Sequence, residues 1–226
     1  MACRETAALF DFSSFAKIEV RGPGSADFLE GLADNRVARG RGAITYTQML
    51  NQDGGIECDF TVTRLAEDRF RIVTGTAFGR HDLAWIRDHL PSDRSVEVED
   101  VTPAFACVGL WGPLARQILQ PLTPTDLGSQ AFPYMSAREV FVGSLPCLAL
   151  RVTYVGELGW ELYCRSEFGL RLWNTIWAAC ARQGIVAGGY KAIDSLRLEK
   201  GYRFWGSGIG PEADPYASSL CSRSLL

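Results

Sequence analysis

Asp59 is the acid in this chain whose setting most needs a chemical reason. It falls in the run Ile56 to Leu65, "IECDFTVTRL", which follows the strand-like "YTQML" and the turn-forming "NQDGG". Together these read as a β-hairpin with its turn at Asn51–Gly55. In the return strand Ile56, Cys58, Phe60 and Val62 share one face, and Glu57, Asp59, Thr61 and Thr63 share the other. Asp is depleted in strands because its short side chain competes for backbone groups. Two readings fit the polar row: the wet face of a half-buried sheet, or the floor of a site for a polar ligand.

A second group lies in "RVTYVGELGWELYC", with Glu157 and Glu161 among Tyr154, Trp160 and Tyr163. A carboxylate can accept two parallel hydrogen bonds from a ring N–H and a neighbouring exocyclic amine, as a pterin offers, while a tyrosine covers the ring face. A glycine turn between two strands with exposed acids is the alternative, since Gly156 and Gly159 break strict alternation. Further on, Asp194 and Arg197 stand three apart in "KAIDSLRLEKG", the spacing of a helical ion pair.

The seven cysteines are scattered and form no C-x-x-C pair, so no metal site and no thioredoxin-type chemistry is expected. Cys58, Cys147 and Cys164 read as small core residues. The two histidines, His81 and His89, fall in "RHDLAWIRDHL" and read as surface positions of a helix.

These groups need a scaffold, and 226 residues with 47% hydrophobic and 22% charged content supply one. A net charge of −3 argues against nucleic-acid binding. Arg36, Arg39 and Arg41 form a short glycine-spaced cluster, read as a solvated loop or a docking point for an anionic tail. No apolar run approaches the roughly 20 residues of a membrane span. The N-terminus lacks a signal core, so a cytoplasmic, non-membrane protein is expected.

Periodicity places a strand around Phe15–Val20, then a helix over Ala26–Leu32 with Ser25 as N-cap, then the hairpin. A strand and an amphipathic helix occupy "RFRIVTGTAFGRHDLAWIRDHL". Strands follow at Val96–Val98 and Cys107–Leu110, then two or three antiparallel strands with turns at Gly143–Ser144 and Gly156. A helix spans "FGLRLWNTIWAACARQG", and a last one covers Ala192–Gly201. Strand pairs and helices alternate without β-α-β order, which predicts an α+β fold of mostly antiparallel sheets with packed helices. No dinucleotide fingerprint and no phosphate-binding loop occurs.

Taken in order, "YTQMLNQDGGIECDFTVTRL", "RVTYVGELGWELY" and "KAIDSLRLEKGYRFWGS" resemble the folate-binding aminomethyltransferase family. That family comprises the T-protein of glycine cleavage and the T-protein-like part of dimethylglycine and sarcosine dehydrogenases. The resemblance runs from about Leu9 to about Pro215, and "VTGTAFGRHDLAWIRDHL" is more similar to the dehydrogenase branch.

It implies transfer of a one-carbon unit from an aminomethyl group or an imine to tetrahydrofolate, giving 5,10-methylenetetrahydrofolate. It also implies Asp59 as the catalytic acid beside the folate nitrogens, with Tyr46, Thr61, Tyr154 and Glu161 as folate-binding residues. No flavin domain is expected on this chain. A flavin-dependent amine dehydrogenase or a lipoyl carrier protein is the partner the family implies.

The resemblance implies two lobes, residues 1–45 with 138–226 and residues 46–137, and a third, barrel-like domain that is expected to be missing after Leu226. Ile193 stands where many T-proteins have Arg, so an Arg contact does not carry over. A folate-binding regulatory module without turnover, or an inactive shortened fragment, are the alternatives. The regulatory relatives carry a Cys that "KGYRFWG" lacks.

Overall fold

The computed structural model describes residues 2–180 and 184–220. In chain order the elements are α1 (Ala2–Glu5), β1 (Ala8–Asp11), β2 (Ala16–Arg21), α2 (Ser25–Leu32), β3 (Ile44–Leu50), β4 (Ile56–Ala66), β5 (Arg69–Thr74), α3 (Gly79–Asp88), β6 (Glu97–Asp100), β7 (Phe105–Trp111) and α4 (Ala115–Leu119). They continue with β8 (Ser136–Val142), β9 (Leu145–Arg151), β10 (Gly159–Arg165), α5 (Gly169–Cys180), β11 (Val186–Gly188) and α6 (Tyr190–Glu199). The α+β architecture expected from the pattern is present. Among the described residues no helix is long and apolar enough to cross a membrane.

The chain forms two compact units. The first, Met1–Ser14 with Pro103–Tyr202, holds a sheet in the order β11-β1-β7-β10-β9-β8. It is antiparallel except where β11 lies parallel to β1. Its core joins Val108, Leu110, Trp160 and Leu162 on the strands to Leu172, Ile176 and Cys180 on α5. Those three α5 residues recur at spacings of four, which is why "LRLWNTIWAAC" is helical and buries one stripe. The expected continuation of that helix through 181–183 lies outside the described residues, as does Cys221.

The second unit, Phe15–Thr102 with the residues from Arg203, holds an antiparallel sheet in the order β3-β4-β5-β2-β6. Cys58, Phe60 and Val62 on β4 join Ile18, Val20, Phe70, Ile72, Leu29 of α2 and Ile86 of α3 in its core. The hairpin turn is fixed by Asn51, whose Oδ1 accepts the backbone N–H groups of Asp53 (3.0 Å) and Gly55 (2.8 Å). Gly54 takes φ of 81°, a left-handed conformation suited to glycine. Gly55 is needed for a different reason: a Cβ there would lie 1.8 Å from the Pro211 carbonyl oxygen.

The strand expected around Phe15–Val20 is β2, and a further strand, β1, precedes it and pairs into the other sheet. Two expectations change. Strand β2 is laddered to β5 and β6, so residues 16–21 belong with the hairpin, and the expected junctions at 45/46 and 137/138 fall inside β3 and β8. Ser25 is the first residue of α2 rather than its cap, and its buried Oγ makes no hydrogen bond.

Candidate functional site

The hairpin register sets Gln48 opposite Asp59 and Tyr46 opposite Thr61. Gln48 Nε2 donates to Asp59 Oδ1 at 2.7 Å, and the Tyr46 side chain, on the diagonal, is a second hydrogen-bond partner of the carboxyl. Both partners are neutral. Asp59 is partly buried, and desolvation is the main force on it, raising its pKa from 3.8 to about 6 against the hydrogen bonds from Tyr46 and Gln48; the nearby Asp82 charge adds to the rise. Such a carboxyl exchanges its proton near neutral pH. Thr61 lies two residues further along the same face of β4, partly buried.

Thr63, expected in that polar row, is instead buried, with its hydroxyl unpartnered. Gln48 escaped the sequence reading, although counting back across the turn from Asp59 reaches it.

Glu161 lies on β10 in the first unit, beside Gly109 of β7 and Leu150 of β9. It accepts a hydrogen bond from the buried Tyr163 hydroxyl at 2.6 Å. Burial is the main reason that the Tyr163 phenol pKa lies well above 10, so it stays a donor. Tyr154 is not on a strand. It opens a loop that runs to Leu158, with Gly156 at φ of 73°.

Thr153 Oγ1 shapes this loop by accepting the N–H groups of Val155 and Glu157, each at 3.2 Å. Arg4 of α1 clamps it by donating to the Val155 carbonyl and pairing with Glu157 at 2.9 Å. Glu157, one of the two acids of the second polar group, is thereby a structural residue. The Tyr154 ring lies parallel to that of Tyr202, at 6.2 Å between centroids and 7° between planes. Tyr202 is an aromatic neighbour of Tyr154 that the sequence reading did not single out. The Asp194–Arg197 helical pair forms as its spacing implies, at 2.7 Å.

The candidate residues therefore fall into two sets, each in its own unit: Tyr46, Gln48, Asp59 and Thr61 on one hairpin, and Tyr154, Glu161, Tyr163 and Tyr202 in the first unit. The helix carrying His81 and His89 is α3 with its C-cap. His89 is exposed, with Nδ1 2.8 Å from the Trp85 carbonyl. His81 is more deeply engaged than a surface residue, with both ring nitrogens against carboxylates.

Residues 1–222 match the family model of the GCVT N-terminal domain. The protein belongs to that family. It is 37% identical over 97% of its length to the 4-methylaminobutanoate oxidase (formaldehyde-forming) of Paenarthrobacter nicotinovorans, of which it covers 26%. It is equally 37% identical to the aminomethyltransferase of Geobacillus thermodenitrificans, covering 97% of this chain and 60% of that one. The crystal structure of the glycine cleavage system aminomethyltransferase T from Bartonella henselae superposes with a TM-score of 0.80 at 25% identity, over 99% of this chain and 64% of that one. The chain thus spans about a quarter of the oxidase and under two thirds of the transferases.

Proposed function

We propose that this chain is the tetrahydrofolate-binding portion of an enzyme that moves a one-carbon unit from an aminomethyl group or an imine onto folate, giving 5,10-methylenetetrahydrofolate. The observation that carries the reading is the Tyr46–Asp59–Gln48 constellation, in a chain of the GCVT N-terminal domain family. Asp59 is partly desolvated and held by neutral donors alone, the setting of a carboxyl that must both hold and release a proton.

The donor and acceptor types fit the ligand. Glu161 would accept the N–H groups of the pterin edge, with the Tyr163 hydroxyl fixing its carboxylate. The Tyr154 ring would cover a flat ring face, and Thr61 would supply a hydroxyl on the Asp59 side. Folate, when bound, supplies the nucleophilic nitrogen that takes up the carbon. Asp59 takes or returns the proton displaced at that step, and in its ionised form offsets positive charge developing beside it. Gln48 and Tyr46 fix the direction of its lone pairs.

The imine would come from a flavin-dependent amine dehydrogenase, or an aminomethyl group from a lipoyl carrier protein. The cytoplasmic location expected from the sequence belongs to the same proposal.

The test is intrinsic tryptophan fluorescence of the purified chain titrated with 5-formyltetrahydrofolate, beside Glu161→Ala. Saturable quenching weakened at least tenfold by Glu161→Ala is the expected result. A well-folded protein with no saturable response, or with binding indifferent to Glu161, would overturn the reading.

A further inference from the structure

On the opposite face of β4 from Asp59, the side chains of Cys58, His81 and Asp82 converge. Their ligand atoms all lie within 4.8 Å of one another. We propose that Cys58, His81 and Asp82 form a binding site for a divalent transition metal of the zinc class, with Glu57 orienting the histidine and one coordination position left open.

Several observations meet here. Thiolate, imidazole and carboxylate in threes, with an open fourth position, form a ligand set suited to zinc. Metal–ligand bonds of about 2.0–2.3 Å put tetrahedral ligands within about 4 Å of one another, so the gathering needs little movement. His81 Nδ1 stands 3.1 Å from Asp82 Oδ1, while Nε2 stands 2.9 Å from Glu57 Oε1. A carboxylate on the far nitrogen is how a metal-binding imidazole is usually held in its tautomer, with the near nitrogen aimed at the ion.

Asp82 supplies an independent sign. It is 2% exposed, yet its Oδ2 and the Thr74 hydroxyl that faces it both lack a hydrogen bond of normal geometry. A buried carboxylate oxygen without a partner is costly, and a cation would satisfy it. Cys58 is fully buried, but the His81 side chain is 39% exposed, so an ion has a way in on the imidazole side.

A metal bound here would take the thiol as thiolate and the imidazole as neutral, with the displaced protons leaving to solvent. Position 58 and positions 81–82 are far apart in sequence, which is why no spacing motif reveals the set. The inference is independent of the folate reading.

The test uses Co²⁺ as probe on the whole chain after removal of metals by chelator. About one equivalent should bind, with a thiolate-to-cobalt charge-transfer band and the strong visible bands of low-symmetry four-coordination, both abolished when Zn²⁺ displaces it. Cys58→Ser should remove the charge-transfer band, and Glu57→Gln should weaken binding by roughly 10–100-fold while retaining the band. The other cysteines are the internal control. A band that persists in Cys58→Ser, or no band at millimolar Co²⁺ in wild-type protein with native circular dichroism, would overturn the site.

Discussion

At residue scale, Asp59 joins a stability cost to a proposed task. Its carboxyl pKa is about 6 in the folded chain against 3.8 as the ordinary value. The native state therefore holds a proton more tightly than the unfolded state. The stabilising contribution is complete below about pH 4 and is lost as pH rises through 6. Above that, ionised Asp59 sits in a partly desolvated place. In metal-free protein, Asp59→Asn should raise the melting temperature by a few degrees at pH 8 and by little at pH 4.5, read by calorimetry in the presence of chelator. The same variant, supplied with folate and an imine donor, should lose roughly 10²–10⁴-fold in methylene transfer with folate affinity changed less than threefold. A transfer rate within tenfold of wild type would remove Asp59 from the chemistry. Glu157 shows the contrasting case: an acid of equal promise in the sequence is tied to Arg4, and its work is to hold the Tyr154 loop.

At the scale of elements, the β3–β4 hairpin is the device that presents Asp59, and its turn is tied to the segment after Arg203. Ile56 N–H donates to the Ala213 carbonyl at 3.0 Å, and Trp205 Nε1 donates to the Ile56 carbonyl at 2.9 Å. Gly55 makes this approach feasible, because any Cβ there meets the Pro211 carbonyl. Gly55→Ala should cost about 2 kcal/mol or more in urea unfolding, whereas Gly54→Asn, at a left-handed position with open space around it, should cost less than about 1 kcal/mol. Equal costs would mean that backbone conformation rather than the Pro211 contact sets the residue at 55.

At the scale of the whole molecule, the two units carry separate cores. Phe70 is fully buried in the second and Trp160 in the first. Phe70→Ala should cost about 3–5 kcal/mol, and hydrogen exchange should rise first and furthest in β2, β4 and β5. Equal loss of protection in β7, β9 and β10 would show that the units open together.

The sequence by itself determined the family and the α+β class, and it placed the candidate acid Asp59 on its hairpin. Asp59 is legible because a hairpin converts sequence distance into register and burial alternates from Ile56 to Val62 as the residue types imply, whereas Tyr46 and Thr61 are reached through the family resemblance. It did not determine which strands share a sheet: β1 pairs with β7 and β2 with β6, partners roughly 75–100 residues apart, and many pairings satisfy the same local pattern. Nor could it show that Tyr202 lies against Tyr154, or that Cys58 faces His81 and Asp82. The approach of His81 and Asp82 to Cys58 is decided by how α3 docks on its sheet. Docking is set by the summed fit of whole apolar faces, and no one residue in the sequence announces it.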